Sequence, residues 1–292
     1  MHMEKREPSI LIINLYFGKL PPWMNFLIET MKWNKDINWV IFTDGEMPEN
    51  QSDNVHIYNI SFENYNSLVR EKLGIKFYPL SPYKLTDLRP ALGFVHRDIC
   101  EGYDFVGFGD IDVIYGNIRY FYTSHILNSY LCLSTHPERV SGHFFIMKNI
   151  SLLTEAFREI PDFQAMLTAE RHFSVTEPHF TPIIKRICAE KALFQERYST
   201  PLPHGSFRWI WRHGVLSNEH YRSAEERSFL YLHFMNWHSA RWLPQQDRVS
   251  ADAISPWERC GDIVKLDWRL AASSGFMVSQ FGIEPISLTT YP

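Results

Sequence analysis

Residues Tyr103–Gly116 read YDFVGFGDIDVIYG, an apolar run that changes into an acidic turn at Asp110. The apolar part is long enough for a β-strand, and its continuity is typical of a strand buried on both faces of a sheet. Gly107 and Gly109 let a ligand come close to the backbone just ahead of the turn. We therefore predict a buried strand that ends in a polar turn.

Asp110 and Asp112 are two residues apart in this turn. Side chains at positions i and i+2 of an extended chain point the same way, so both carboxylates can face one cation. Mg²⁺ and Mn²⁺ take oxygen ligands, and an ion placed here would neutralise a diphosphate leaving group. A solvated acidic turn without a metal is the alternative, because Asp-x-Asp is common by chance.

The residues before this strand predict the opening of an α/β sheet. Ser9–Tyr16 and Asn38–Asp44 are typical of strands buried on both faces, and Val55–Ile60 is a shorter third strand. Trp23–Trp33 carries apolar residues at helical spacing directly after Pro22. In such a sheet ligands bind at the carboxyl ends of strands, which is where the acidic turn would lie.

Further α/β elements are predicted downstream. We expect helices over Phe62–Leu73, Leu85–Cys100 and Ser151–Arg158, and strands over Tyr130–Ser134 and His143–Met147. The chain shows no internal repeat, no low-complexity linker and no clean boundary. We therefore expect a single domain with a C-terminal elaboration.

Composition excludes several classes of protein. Of the 292 residues, 45% are apolar and 15% are aromatic, unlike a disordered or collagen-like chain. The formal net charge of −4 gives no electrostatic footprint for duplex nucleic acid. The aromatic excess indicates either an unusually aromatic core or a cleft lined for a base or a sugar.

Localisation signals are few. Apolar contexts predict buried free thiols at Cys100, Cys132 and Cys188. The run Ile10–Ile13 is too short for a signal peptide core, and no stretch approaches the roughly 18 apolar residues of a spanning helix. We expect a cytoplasmic protein. Phe207–Arg212 is interpreted as a packed aromatic strand or helix, with peripheral contact at the inner face of the membrane as the alternative.

Six blocks follow one another in an order more specific than any one of them: Ile12–Pro21, Phe42–Asp44, Pro82–Pro90, Phe108–Gly116, Ser141–Phe144 and Leu232–Phe234. With these blocks the chain resembles glycosyltransferases of the GT-A fold. It is similar, more closely, to an uncharacterised bacterial glycosyltransferase-like family associated with polysaccharide biosynthesis. The resemblance implies a Rossmann-like α/β fold, with a mixed central sheet flanked by helices.

The resemblance also implies a division of labour within one catalytic domain over residues 1–292. Residues 9–150 would hold a nucleotide-sugar donor, with UDP expected as the nucleotide, and residues 151–292 would hold a glycan or lipid-linked glycan acceptor. It assigns the donor to residues at the ends of predicted strands and ahead of the acidic turn, namely Tyr16, Phe17, Asp44, Lys84, Asp87 and Asp110, with His143 beneath the sugar or acceptor.

For the metal, the resemblance implies that Asp110, Asp112 and His233 hold Mn²⁺ or Mg²⁺, with Asp112 as the more direct ligand. Lys84, or an arginine such as Arg89, would act at the leaving phosphate by adding positive charge.

The catalytic base is less well marked. Members of the family carry an Asp-Glu pair where this chain reads Val175-Thr176-Glu177, so the Asp is missing and Glu177 is the candidate base. By analogy, the late histidine favours retention of configuration, which needs no such base.

Each assignment has a structural alternative. Asp44 would cap a turn, Lys84 and Glu177 would be surface residues, and His233 would be a core histidine. Four tryptophans would either stack on acceptor sugars or pack in the core: Trp209, Trp211, Trp237 and Trp242.

The predicted activity is metal-dependent hexosyl transfer from a nucleotide sugar to a glycan hydroxyl, in bacterial surface polysaccharide synthesis. A non-catalytic glycan-binding protein on a transferase fold and a sugar nucleotidyltransferase are the alternatives.

Overall fold

The computed structural model describes residues 6–195, 198–199, 208–218, 228–234 and 262–286. Within these ranges the strands are β1 (Ile10–Leu15), β2 (Ile37–Thr43), β3 (Val55–Asn59), β4 (Phe105–Gly109), β5 (Val113–Tyr115), β6 (Cys132–Ser134), β7 (Phe144–Lys148), β8 (Ala192–Phe194), β9 (Tyr198–Ser199), β10 (Trp209–Arg212), β11 (Val215–Asn218), β12 (Tyr231–His233), β13 (Phe276–Ser279) and β14 (Gly282–Glu284).

The α-helices in the same ranges are α1 (Met24–Lys32), α2 (Phe62–Leu73), α3 (Leu92–Val95), α4 (Arg97–Cys100), α5 (Ile118–Phe121), α6 (Ser124–Ser129), α7 (Ser151–Thr154), α8 (Phe163–Thr168), α9 (Thr181–Cys188) and α10 (Ala271–Ser274). Short 3-10 segments cover Pro82–Ala91, Ala156–Glu159, Ala189–Lys191 and Trp268–Leu270, and a π-helical turn covers Thr176–Phe180.

The largest sheet has seven strands in the order β3-β2-β1-β4-β7-β6-β8. The first four run parallel, β7 is antiparallel to both β4 and β6, and β8 is parallel to β6. This arrangement confirms the predicted mixed α/β fold with a central sheet. The remaining described strands form a four-stranded sheet, β11-β10-β13-β14, and a three-stranded sheet, β5-β12-β9.

Strand β1 shows why its sequence is continuously apolar. Leu11 and Ile13 face the hydrophobic core that α2 covers, whereas Ile10 and Ile12 face the core that α1 covers. None of the four is more than 1% exposed. A strand that is buried on both faces has no solvated side to mark with polar residues.

The predicted strand over 103–116 is divided between two sheets. β4 lies inside the seven-stranded sheet, whereas β5 pairs antiparallel with β12, so that Val113 is opposite His233. The acidic turn is the link between these sheets. Its position at the carboxyl end of β4 also places it at the same sheet edge as the ends of β1 and β2, which run parallel to β4.

The predicted α-helix over Leu85–Cys100 is wrong. Pro82–Ala91 forms a 3-10 helix, which is followed by the separate short helices α3 and α4. Pro90 lacks a backbone N–H and its ring blocks the preceding turn, so an α-helix does not run through this position. The helix predicted over Ser151–Arg158 is likewise divided, into α7 and a 3-10 segment. Helix α2 has the predicted bounds.

Aromatic residues of the last third pack in the core. Trp209 and Trp211 on β10 are fully buried, and the Trp211 ring stacks on Phe276 with centroids 5.2 Å apart. These two tryptophans therefore present no face to an acceptor sugar, whereas Trp237 and Trp242 lie outside the described residues.

Three cysteines are buried and free, as predicted: Cys100, Cys132 and Cys188. None of the helices in the described ranges combines the length and the hydropathy needed to cross a membrane.

Candidate active site

The backbone of the acidic turn is fixed by side chains from two other elements. Asn14, buried at the end of β1, donates through Nδ2 to the Gly109 carbonyl at 2.8 Å and to the Asp110 carbonyl at 3.2 Å. Trp23 Nε1 donates to the Ile111 carbonyl at 2.8 Å. Buried carbonyls need such partners, so these bonds hold the turn in one conformation.

Asp112 and His233 meet across the β5–β12 pair. His233 Nε2 lies 2.9 Å from Asp112 Oδ2, and the Phe234 N–H donates to the Asp112 carbonyl at 3.2 Å. Asp112 is 8% exposed and His233 is 5% exposed. Burial alone would lower the pKa of His233, but the carboxylates of Asp112 and Asp110 outweigh it and raise that pKa.

Asp110 is paired with Arg89. The Arg89 Nη2 atom donates to Asp110 Oδ1, and each side chain keeps slightly less than a fifth of its surface exposed. Burial nevertheless raises the pKa of Asp110 to about 6, against the opposing effect of Arg89. A carboxyl with a pKa raised by burial gains from an additional cation, because the cation stabilises its ionised form.

His143, the residue directly before β7, completes the cluster. Its carbonyl accepts the Asp110 N–H at 2.9 Å, and its imidazole stacks on His233 with ring centroids 3.7 Å apart and planes inclined by 23°. Burial, and then the neighbouring His233, hold the pKa of His143 well below its usual value. His143 is therefore neutral, which is the form that binds a metal.

Asp110, His143 and His233 each offer one ligand atom, and these atoms all lie within 4.8 Å of one another. One carboxylate oxygen and two imidazole nitrogens form a donor set suited to Mn²⁺ and to other first-row divalent ions. The residues therefore fit a divalent metal. We name Asp110, Asp112, His143 and His233 the carboxylate–histidine cluster.

In this cluster Asp112 bonds to the imidazole of His233. A carboxylate in that position orients a histidine ligand. In the structure His143 offers one of the three candidate ligand atoms, and its expected place beneath the sugar or acceptor stays a prediction. Its position follows from register, since Gly109 pairs with Phe144 and the next pair outward is Asp110 with His143.

Lys84 and Asp87 form a buried ion pair, with Nζ and Oδ2 3.0 Å apart and exposures of 3% and 0%. The Lys84 ammonium also donates to the carbonyls of Met166 and Arg171, each at 2.6 Å. These three acceptors use all three N–H groups of the lysine. The expected contact of this pair with a donor stays a prediction, since both side chains bind the segment 166–175 in the structure.

Asp87 holds the same segment from the other side. Its carboxylate accepts the Phe173 N–H at 3.0 Å and the Val175 N–H at 3.2 Å, and His172 Nε2 lies 3.2 Å from Oδ1. Glu177 lies two residues after Val175, so the backbone that leads to it is anchored by Asp87.

The loops after β1 and β2 are tied to each other. The Gly18 N–H donates to Asp44 Oδ1 at 2.6 Å, and the Tyr16 hydroxyl donates to the Lys19 carbonyl at 2.6 Å. Phe17 is buried against Phe62 and Tyr65. Asp44 itself is exposed at the sheet edge that carries the acidic turn. Its carboxylate is accessible to a ligand, whereas the Phe17 ring is part of the core.

Glu177 lies close to the cluster through Gly142. A Cβ built on Gly142 would lie 2.9 Å from Arg89 Nη1 and 3.8 Å from Glu177 Oε1. Glu177 also pairs with Arg139 at 3.0 Å, and its side chain is 37% exposed. Gly142 therefore leaves the space in which Arg89 reaches Asp110, with Glu177 on the solvent side.

The model of a family of unknown function, DUF6625, matches residues 12–253. The chain belongs to this family. The matched range includes the whole carboxylate–histidine cluster, together with Arg89 and Glu177. No curated protein sequence matches the chain.

Similarities to solved structures are low. The galactosyltransferase LgtC, solved with donor and acceptor sugar analogues, has 9% identity and a TM-score of 0.39 over 66% of this chain and 77% of that one. The glycosyltransferase GlyE of Streptococcus pneumoniae TIGR4, in its apo form, has 11% identity and a TM-score of 0.39, over 90% and 61%. Mouse xyloside xylosyltransferase 1 has 10% identity and a TM-score of 0.33, over 68% and 91%.

In this member of DUF6625, Arg89 is more central than its sequence suggests. From the sequence it is only one possible source of positive charge, whereas in the structure its guanidinium contacts Asp110 of the acidic turn directly. Its place in the block Pro82–Pro90, directly before a proline inside the 3-10 helix, is the signal that could have singled it out.

Proposed function

We propose that the chain is a metal-dependent glycosyltransferase of the GT-A type, moving a hexose from a nucleotide diphosphate sugar to a hydroxyl of a glycan acceptor. One observation carries the proposal: the two carboxylates that follow β4 meet two histidines, His143 just before β7 and His233 on β12, and His233 lies 121 positions after Asp112 in the chain. A solvated turn needs no such contacts with histidines, whereas a metal centre beside a diphosphate does.

The metal-binding residues would be Asp110, His143 and His233, with Asp112 orienting His233. A divalent ion held there, Mn²⁺ or Mg²⁺, supplies positive charge for the departing diphosphate. Asp110 must be ionised to bind it. His143 needs no deprotonation, because burial already holds it neutral.

Arg89 supplies the second positive charge. Its guanidinium contacts Asp110 while part of its surface stays open, so it is available to phosphate oxygens beside the cluster. The charge that develops on the leaving phosphate would meet a preorganised donor rather than water.

The nucleotide would lie along the loops after β1 and β2, where Asp44 is exposed next to the Tyr16–Gly18 loop. A carboxylate in this position accepts hydrogen bonds from a ribose or from the N–H of a base. UDP is the nucleotide that we propose on the strength of the sequence resemblance.

The bond from the anomeric carbon to the diphosphate oxygen breaks, and the acceptor oxygen forms the new glycosidic bond. In an inverting enzyme the acceptor proton would pass to Glu177, which is accessible beside Gly142. In a retaining enzyme the departing phosphate would take it. We favour retention, on the analogy of the late histidine. The biological role that we propose is surface polysaccharide synthesis, in the cytoplasm or at the inner membrane face, on a glycan or lipid-linked glycan acceptor.

The test is hydrolysis and binding of UDP-glucose, UDP-galactose, UDP-N-acetylglucosamine and GDP-mannose, each with Mn²⁺ and with EDTA. We expect at least one to be hydrolysed and to raise the melting temperature only with Mn²⁺. Asp112→Ala should remove both effects, and the exposed Asp53→Ala should remove neither. If the wild type neither binds nor hydrolyses any of these nucleotide sugars, the proposed transferase activity is wrong. If it binds glycans without metal, the non-catalytic glycan-binding alternative is favoured.

A further inference from the structure

Three exposed apolar side chains lie just before and at the start of the 3-10 helix Pro82–Ala91, which carries Arg89. Tyr78, Leu80 and Tyr83 are 66%, 78% and 55% exposed, within six residues of chain. Exposed apolar patches rimmed by polar groups mark sites of interaction. Tyr83 belongs to the 3-10 helix that carries Arg89, and the charges of Arg89 and Asp110 both act on the pKa of its hydroxyl.

Tyr83 does not stand alone. Its ring packs on His172, with centroids 4.7 Å apart and planes inclined by 56°. Burial holds the pKa of His172 below its usual value, so the ring beside Tyr83 is an uncharged imidazole. The two rings come from distant parts of the chain and together form one aromatic wall.

This wall is held from beneath by the buried ion pair. Lys84 follows Tyr83 directly and is anchored at three acceptors, while Asp87 binds His172 and the backbone after it. The Tyr83 carbonyl also accepts the Thr86 hydroxyl at 2.8 Å. A rigid aromatic surface loses little conformational entropy when a ligand binds to it.

We propose that Tyr83 and His172 form one wall of the acceptor subsite, where the Tyr83 ring stacks on a pyranose ring of the acceptor. This inference rests on the proposed function and names the surface that receives its second substrate. The acceptor is favoured over the donor sugar because His172 and Glu177, the candidate base for the acceptor hydroxyl, lie on the same anchored segment.

Saturation-transfer NMR tests the wall without catalysis, with methyl glucoside, methyl galactoside and methyl N-acetylglucosaminide as probes. We expect the wild type and Tyr83→Phe to transfer saturation to the ring protons of at least one probe, and Tyr83→Ala to lose it. Tyr120→Ala is the matched control, because Tyr120 is 58% exposed and follows Arg119, which bonds the carbonyls of Pro8 and Asp36 at the opposite edge of the sheet.

Kinetics supply the second readout. We expect Tyr83→Ala to raise the KM for the pyranoside acceptor about three- to tenfold, with hydrolysis of the nucleotide sugar in the absence of acceptor unchanged. A change in the KM for the donor alone overturns the inference, as does a Tyr83→Ala protein equal to wild type in both measurements, or a wild type that binds no pyranoside. The protein could bind a pyranoside through Tyr83 and yet hydrolyse no nucleotide sugar. That result would contradict the proposed function but would still support Tyr83 and His172 as a sugar-binding surface.

Discussion

Two ion pairs that begin on the same 3-10 helix differ in almost every physical respect. Lys84–Asp87 is closed to solvent, and every N–H of the lysine has an acceptor. Arg89–Asp110, five residues further on, is partly open on both sides and lies beside two histidines. The first pair fastens a segment of backbone, and the second keeps charge available to a ligand. Position within a motif therefore says little about which charged residue is closed to solvent and which is accessible to a ligand.

The largest expected effect is a loss of stability on breaking the buried Lys84–Asp87 pair. Asp87→Ala leaves the Lys84 ammonium buried and three backbone or imidazole donors without their acceptor, so we expect a loss of about 3–5 kcal/mol in the free energy of unfolding. Urea unfolding followed by circular dichroism measures it. Asp98→Ala, at an exposed pair with Lys72, is the matched control and should leave the midpoint unchanged. Equal midpoints for both variants would remove the distinction.

Asp110→Ala should show the reverse pattern. We expect removal of the Asp110 carboxyl to leave the fold intact, because burial raises its pKa to about 6 and so disfavours its charged form in the native protein. We expect loss of the Mn²⁺-dependent rise in melting temperature and a fall in nucleotide-sugar hydrolysis of about 100-fold or more. Differential scanning fluorimetry and a coupled UDP-release assay measure the two effects. Retained Mn²⁺ binding would place the metal elsewhere.

A pH titration tests the contribution of His96, a buried histidine that belongs to neither pair. Burial lowers the pKa of His96 to about 3, whereas an unfolded histidine titrates near pH 6.5. As pH falls through this window the unfolded chain binds the proton first, so stability present above pH 6.5 is lost on acidification. Between pH 7.5 and 5 we expect a loss of about 2 kcal/mol from this residue.

His96→Gln should remove most of that acid-dependent loss, although it also disturbs the contacts with Tyr65 and Phe42. The quantity to compare is therefore the slope of the unfolding free energy against pH, measured by urea titration for both proteins. An unchanged slope would show that burial of His96 does not cause the acid-dependent loss of stability.

Gly142→Ala is the mildest change. The new methyl group would approach Arg89 Nη1, and a guanidinium at the end of a flexible side chain moves more readily than backbone. We expect normal folding, with a fall in kcat of about tenfold as Arg89 leaves Asp110. Steady-state kinetics beside a melting curve measure both. A fall in melting temperature as large as that of Asp87→Ala would show that the open pair is structural as well.

The sequence predicts the sheet well and the environments of single side chains poorly. The burial of β1 and β2 can be predicted from their composition, because a strand covered on both faces is apolar throughout. The burial of Lys84 and Asp87 cannot be predicted in this way, because both residues are charged. Their partners are backbone carbonyls and amides of residues 166–175, and which backbone approaches a side chain is decided by tertiary packing.

The same limit applies to the cluster. The spacing of Asp110 and Asp112 already indicates a shared direction, and the sequence resemblance pointed to His233. The structure brings these three together with His143, whose position depends on the register of β7 against β4. Trp209 and Trp211 illustrate the opposite case, since aromatic residues of a core strand and of a sugar platform look alike until burial is known.

The pairing of β5 with β12 has a consequence for the order in which this protein is made. His233 follows Asp112 by 121 positions, and this length of chain takes about 6–24 s to synthesise at ordinary rates of translation. During that interval the strand Val113–Tyr115 exists without its partner. The carboxylate–histidine cluster is therefore complete only after β12 has docked against β5. If the proposed divalent-ion site is real, the onset of ion binding would report this docking step during synthesis.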